Sequence, residues 1–384
     1  MKSIYFDNAA TSNPKPKIVI EAVQDYLKNI CASPGRGGYG LGLEAGRIIF
    51  EAREKIRHLF NGPSEENIIF TPNVTYALNF ALLGILKPGD HVITTSMEHN
   101  SVIRPLRLLE KNRNVEISIV KCNKKGELDP SDIIKEIKPS TKAIVFTHAS
   151  NVSGTILPVE SLPEFKNHTD AFIILDAAQT AGVIDIDFEK SGLDFLGFTG
   201  HKALYGPPGT GGLVMSRRAG KAIMPTICGG TGSRSDMEFQ PDFTPDKMEA
   251  GTPNTAGIAG LSAGLDFINE NGVDKIHKHE MKLTKIFIDG LKQIPKVKIY
   301  GPDEIEKRVS TVSITIDDSD MGELAFRLDV EYGIMIRSGL HCSPLGHKTL
   351  GTFPEGTLRF SFGYFNTEEE VEYGLNVIKE LAQE

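Results

Sequence analysis

The chain has 384 residues, 40% of them hydrophobic and 24% charged, with 38 glycines and a formal net charge of −8. That length accommodates two domains with separate cores, and the acidic balance argues against a nucleic-acid-binding surface while leaving room for a local site for a small anion. No run of about 18 apolar residues exists to span a membrane. Residues 1–7 lack the basic-then-apolar pattern of a secretory leader, so the chain is expected to be cytosolic.

A first helix is predicted over 16–30. Short apolar, β-branched runs then alternate with amphipathic ones. Strands are predicted at 67–71, 91–96, 115–120, 143–147, 171–176, 194–199 and 211–216, with helices at 74–86, 101–112 and 130–137 among them. This rhythm predicts an α/β fold with a mainly parallel, seven-stranded sheet covered by helices on both faces. Ligands in such sheets bind at the carboxyl ends of strands. Beyond Pro253 the pattern changes to helices at 255–272 and 273–294, strands at 297–300 and 309–316, and a helix at 322–332. Strands at 334–337 and 357–362 follow, then a closing helix at 368–382 capped by Thr367. This reads as a smaller α+β domain against which helix 16–30 and the opening segment could pack. The expected division is 15–255 for the large domain and 1–14 with 256–384 for the small one.

Four cysteines, Cys31, Cys122, Cys228 and Cys342, form no CxxC pair and no cluster at metal-ligand spacing, so neither a metal site nor a disulfide framework is expected. The glycine-rich segment 206–212 imitates a nucleotide-binding loop. Gly212 and Leu213 stand where that loop needs Lys and then Ser or Thr, and a strand follows instead of a helix. Three strand ends carry better chemistry. Strand 171–176 ends in Asp176-Ala177-Ala178-Gln179, strand 194–199 runs into Thr199-Gly200-His201-Lys202, and strand 67–71 leads through Val74 and Thr75 into a helix. A lysine able to form a Schiff base, a carboxylate for a pyridine nitrogen and a helix N-terminus for a phosphate are the needs of pyridoxal phosphate (PLP).

Together with Glu249-Ala250-Gly251-Thr252-Pro253 and Arg337-Ser338-Gly339-Leu340-His341-Cys342, these segments resemble the class V aminotransferase superfamily. The match is closest to cysteine desulfurases and selenocysteine lyases of the group II, Suf-type kind. The resemblance runs from Asp7-Asn8-Ala9-Ala10-Thr11 to Arg359 and Asn366-Thr367, and it implies the PLP-dependent transferase fold type I. By this resemblance Lys202 carries the cofactor and moves the substrate's Cα proton, Asp176 pairs with the ring nitrogen, and Gln179 bonds the ring hydroxyl. His99 stacks on the ring and moves protons. Thr75, the backbone around Val74, Thr199 and His201 hold the phosphate. Thr252 reaches the same phosphate in a partner subunit, which implies a homodimer. Asn151 lies near the ring oxygen and substrate, and Arg359 grips the substrate carboxylate in a bidentate pair, with Arg337 as a further substrate-binding residue.

Cys342 follows His341 and lies five residues beyond Arg337, surroundings that favour a thiolate. The implied reaction converts L-cysteine, or L-selenocysteine, to L-alanine. Sulfur passes to Cys342 as a persulfide and then to a protein acceptor. Ser338 and Leu340 depart from the Suf-type run around the cysteine, and Val74 and Tyr76 depart from the phosphate segment. Selenocysteine lyase, another class V lyase or transaminase, and a non-catalytic PLP-binding protein are the alternative readings.

Overall fold

The computed structural model describes residues 3–35 and 38–383. Positions 1–2 and 384, the two ends of the expected small domain, lie outside the described residues, as do 36–37. After β1 (Ile4–Tyr5) come α1 (Lys17–Asp25), extended by a π-helical turn to Ile30, and α2 (Gly40–Phe60). Next are β2 (Ile68–Thr71), α3 (Val74–Ile85), β3 (His91–Thr95), α4 (Asn100–Arg113), β4 (Glu116–Val120) and α5 (Pro130–Lys135). This first half continues with β5 (Thr141–Thr147), α6 (Leu162–Phe165), β6 (Phe172–Asp176), β7 (Phe195–Thr199), β8 (Gly211–Met215) and α7 (Arg217–Ala222).

Strands β2 to β8 form one seven-stranded sheet in the order β2-β8-β7-β6-β5-β3-β4. Only β8 runs against its neighbours, β2 and β7. The side chains of the central strands sort by the two-residue period of an extended backbone. Ile144, Phe146, Ile173, Leu175, Leu196 and Phe198 enter one core, while Ala143, Val145, Phe172, Ile174 and Phe195 enter the other. Burial on both faces is why these strands read as unbroken apolar runs. Strand β8 also accounts for the glycine-rich segment. A Cβ on Gly211 would come within 2.7 Å of Asn73 Cα, and one on Gly212 within 2.6 Å of the Ile69 carbonyl. These glycines let β8 pass close to β2 and to the start of α3.

The second half contains α8 (Thr255–Asn271), α9 (Val273–Leu291), β9 (Val297–Tyr300), β10 (Thr311–Ile316), α10 (Met321–Tyr332) and β11 (Ile334–Met335). It ends with β12 (Arg337–Gly339), α11 (Pro344–Leu350), β13 (Thr357–Ser361) and α12 (Glu368–Leu381). Strands β12-β13-β10-β9 form an antiparallel sheet, and β1 pairs in parallel with β11. Val312, Ile314, Leu358 and Phe360 share a core with Leu283 and Phe287 of α9 and Val371 and Ile378 of α12. Alternation therefore turns Ser313, Thr357 and Arg359 to the opposite face of this sheet, where Ser313 Oγ donates to the Val152 carbonyl at 2.7 Å. Helix α8 packs against α1 and α2, yet its Leu261, Leu265 and Ile268 belong to the core of the large sheet. Among the described residues no helix is long and apolar enough to cross a membrane.

The small sheet is clamped to the loop after β5 by Arg308, whose guanidinium is buried and donates to four carbonyls. They belong to Pro302 at 3.1 Å, Ser153 at 2.9 Å, Tyr300 at 3.2 Å and Thr311 at 3.2 Å. Burial lowers its pKa to about 10, with Asp303 opposing. Arg308→Met should cost about 3 kcal/mol or more in urea unfolding, because it strands buried carbonyls. Arg308→Lys should recover only part of the loss, since an ammonium lacks the planar fork.

Candidate active site

Asp176 closes β6, and Thr199 closes the adjacent β7 three residues before Lys202. Asp176 is 2% exposed. Its Oδ1 accepts from the Ala178 amide at 2.9 Å and its Oδ2 from Ser101 Oγ at 3.3 Å. Burial raises its pKa, against the pull of those bonds and of the Lys202 charge. Lys202 is affected in the opposite sense. Burial lowers its pKa from 10.5 to about 8, Asp176 resists that shift, and Arg359 adds to it. Desolvation thus favours the neutral form of both partners.

His99 caps α4 through its ring, Nδ1 accepting from the Ser101 amide at 3.0 Å. Burial, with Lys202, Arg359 and Arg104 nearby, pushes its pKa down to about 4, so the imidazole is neutral. His201 is likewise held at about 4 by burial and by Lys202 and Lys15. Its carbonyl accepts from Thr11 Oγ1 at 2.9 Å and Lys15 Nζ at 2.7 Å. Among the described residues the buried Thr199 hydroxyl has no hydrogen-bond partner. Helix α3 begins at Val74, with Asn73 Oδ1 accepting from the Tyr76 amide at 3.3 Å, and its first-turn amides at Val74 and Thr75 have no intrahelical acceptor.

A second group of residues gathers around Arg359, which is 2% exposed. Its Nη2 meets Asp7 Oδ1 at 2.6 Å, and its Nη1 donates to the Asn151 carbonyl at 3.1 Å. The Arg359 Nε is buried and finds no partner among the described residues. Asn151 in turn donates through Nδ2 to the His341 carbonyl at 2.7 Å. The neighbouring Cys342 carbonyl accepts from the Asn100 amide at 2.8 Å, beside His99. His341 and Cys342 both take left-handed backbone, with φ of 48° and 56°, a conformation that costs non-glycine residues energy. Cys342 itself is exposed. Cross-strand register sets Arg337 opposite Arg359, with its Nε 3.8 Å from Asp7 Oδ2.

Two expected residues stand less directly in this arrangement. Gln179 Nε2 is engaged by the Ala9 carbonyl at 3.2 Å. Thr252 is exposed and lines a cavity of about 290 Å³ with Thr71, Tyr76 and Gly211. Three further residues come from the structure. Asp7 falls in the opening sequence motif, and its pairing with Arg359 spans 352 positions. Ser101 carried one faint signal, a hydroxyl two residues after a strand-end histidine. Glu98 is fully buried, its carboxyl raised to about 8 by burial, and nothing in its surface-like residue type announces that.

The donor set fits PLP. The Thr199 hydroxyl, unpartnered among the described residues, and the first-turn amides of α3, which have no intrahelical acceptor, suit a phosphate; the buried carboxylate suits a pyridinium, and the low-pKa amine suits a carbonyl carbon. The chain belongs to the class V aminotransferase family, a family of PLP-dependent enzymes, whose model matches residues 4–373. Within that family it is 37% identical to a probable cysteine desulfurase of Pyrococcus abyssi, over 99% of this chain and 94% of that one. Its fold superposes on the apo structure of a cysteine desulfurase from Thermococcus onnurineus with a TM-score of 0.93 at 35% identity, covering 99% of this chain and 95% of the other. The cysteine desulfurase CsdA of Escherichia coli, in an S-sulfonic acid form, gives 0.88 at 27% identity, with 99% and 94% covered.

In cofactor-free protein, acetylation of Lys202 by acetic anhydride, followed by peptide mass spectrometry, should rise with a midpoint near pH 8. Ordinary lysines label about two units higher. Asp176→Asn should move the midpoint lower still, because it removes the charge that favours the ammonium.

Proposed function

We propose that this chain is a PLP-dependent cysteine desulfurase that converts L-cysteine to L-alanine and retains the sulfur on Cys342 as a persulfide. The observation that carries this reading is the bonded path from Arg359 through Asn151 to the Cys342 loop. It ties a carboxylate-binding guanidinium to a thiol whose loop docks beside His99. When bound, PLP supplies the electron sink that makes the substrate's Cα proton acidic.

The chain's own residues supply the rest. Lys202 holds the cofactor, and its lowered basicity lets the amine accept a proton from Cα and release it again. Asp176 would keep the ring nitrogen protonated, Gln179 would bond the ring hydroxyl, and neutral His99 would stack on the ring. Val74, Thr75, Thr199 and His201 bind the phosphate. Arg359, with Asn151 beside it and Arg337 at the mouth, binds the substrate carboxylate, for which Asp7 holds the fork in place. The Cys342 thiolate attacks the substrate sulfur. As the carbon–sulfur bond breaks, its electron pair stays on Cβ, which takes up a proton to become the methyl of alanine.

We further propose a homodimer in which Thr252 serves the partner's site. The exposed Tyr76 and Ile227, which line the same cavity as Thr252, support an apolar contact around that residue. A separate protein then takes the persulfide sulfur. We also propose two domains close to the expected 15–255 and 1–14 with 256–384, with the packing of α8 against α1 and α2 moving the seam to near Gly272.

Incubation with L-cysteine should yield alanine, and Cys342→Ala should lower that yield at least a hundredfold while leaving cofactor absorbance intact. Alanine formation that survives the substitution would sink the persulfide step. The same pair of proteins given L-selenocysteine reports whether selenium removal also needs the thiol. Arg359→Lys should raise KM for L-cysteine about tenfold or more, since a point cation cannot reproduce the bidentate pair.

A further inference from the structure

Ser101 occupies the first turn of α4 and is 3% exposed. Its Oγ lies 2.8 Å from His99 Nδ1 and 3.3 Å from Asp176 Oδ2, while its amide donates to that same Nδ1. Because Nδ1 accepts the amide N–H, it carries no proton, and the neutral ring bears its hydrogen on Nε2. The serine hydroxyl then has a single proton and two acceptors in reach, one on the histidine and one on the carboxylate. The Ala178 amide serves the other carboxylate oxygen, so Ser101 is the side-chain donor to Asp176 among the described residues.

We propose that Ser101 is a positioning residue that couples the Asp176 carboxylate to the His99 ring, holding the carboxylate ionised and the ring in one tautomer. The consequence for the cofactor rests on the reading above, and the coupling itself does not. With a pyridinium N–H bound at Asp176, the carboxylate's hold on the serine proton would weaken, and that proton would turn toward His99 Nδ1. The ring is thereby confirmed in the tautomer that presents Nε2–H. One hydroxyl thus links the group at the ring nitrogen to the group on the ring face.

The charged and titratable groups around this pair are Lys202 and Glu98 near Asp176, and Lys202, Arg359 and Arg104 near His99. None of them changes in Ser101→Ala, which also favours the helix. The test uses the full-length protein, wild type, Ser101→Ala and Ser101→Thr, with ¹³C-labelled aspartate and ¹⁵N-labelled histidine. Without cofactor, the Asp176 carboxyl should titrate about one unit higher in Ser101→Ala, the loss expected for a hydrogen bond to a charged group. The His99 Nδ1 resonance should shift, and Ser101→Thr should restore both signals. Unchanged Asp176 and His99 signals in Ser101→Ala would overturn the proposal.

With PLP added, Ser101→Ala should bind the cofactor about tenfold more weakly and show a displaced pH titration of its visible absorbance band. Ser101→Thr should again approach wild type. Cofactor affinity and band titration equal to wild type would overturn the link to the ring nitrogen. A wild-type protein that takes up no PLP, yet shows the cofactor-free shifts, would overturn the cofactor reading while supporting the coupling.

Discussion

Arg359 is a guanidinium withdrawn from water and divided between Asp7 and the carbonyl of Asn151. Burying such a charge is costly unless its hydrogens are matched, and the matching draws in three distant parts of the chain. Asp7 follows β1, Asn151 follows β5, and Arg359 sits in β13. The opening segment is further held by Ser361, whose hydroxyl accepts from the Ala9 amide at 2.8 Å. Arg308 fastens the loop carrying Asn151 to the small sheet. The position of that sheet against the large one is therefore set by polar contacts around the site as well as by apolar packing. Among the described residues, the same contacts leave the Arg359 Nε facing no acceptor.

Much of the large sheet was legible because its central strands are buried on both faces and read as unbroken apolar runs. All seven strands and helices α3, α4, α8, α9 and α12 lie within a few residues of their predicted spans. Helix α2 was not picked out. Gly40, Gly42 and Gly46 weaken its start, and the exposed Leu41, Leu43 and Phe50 blur any single apolar face. Helix α11 was hidden in what read as a loop between two strands. The reversed direction of β8 could not be read from a run of apolar residues either, since periodicity carries no sense of direction.

The site was legible where chemistry clusters in sequence, as in the stretches ending at Lys202, Asp176 and Cys342. It was illegible where the partner is remote or ordinary in type. Asp7 lies 352 positions from its arginine. Glu98 has a charged side chain that sequence assigns to the surface, yet its Oε1 accepts from Thr95 Oγ1 at 2.6 Å in the core. Long-range register and desolvation decide such cases, and neither leaves a local mark.

The left-handed turn at His341 and Cys342 is fastened on both sides. Besides the bonds from Asn151 and Asn100, Ser343 Oγ donates to the Glu98 carbonyl at 2.9 Å, and the His341 and His347 rings stack at 5.5 Å. To swing outward the turn would have to surrender these contacts together. A cysteine so mounted is a fixed post, and under the persulfide reading proposed above its sulfur would have to be collected by a visitor fitted to the protein's contour at that point. Selectivity for that visitor would then reside in the rim around residue 342, where a substitution would redirect the handover without altering the chemistry beneath.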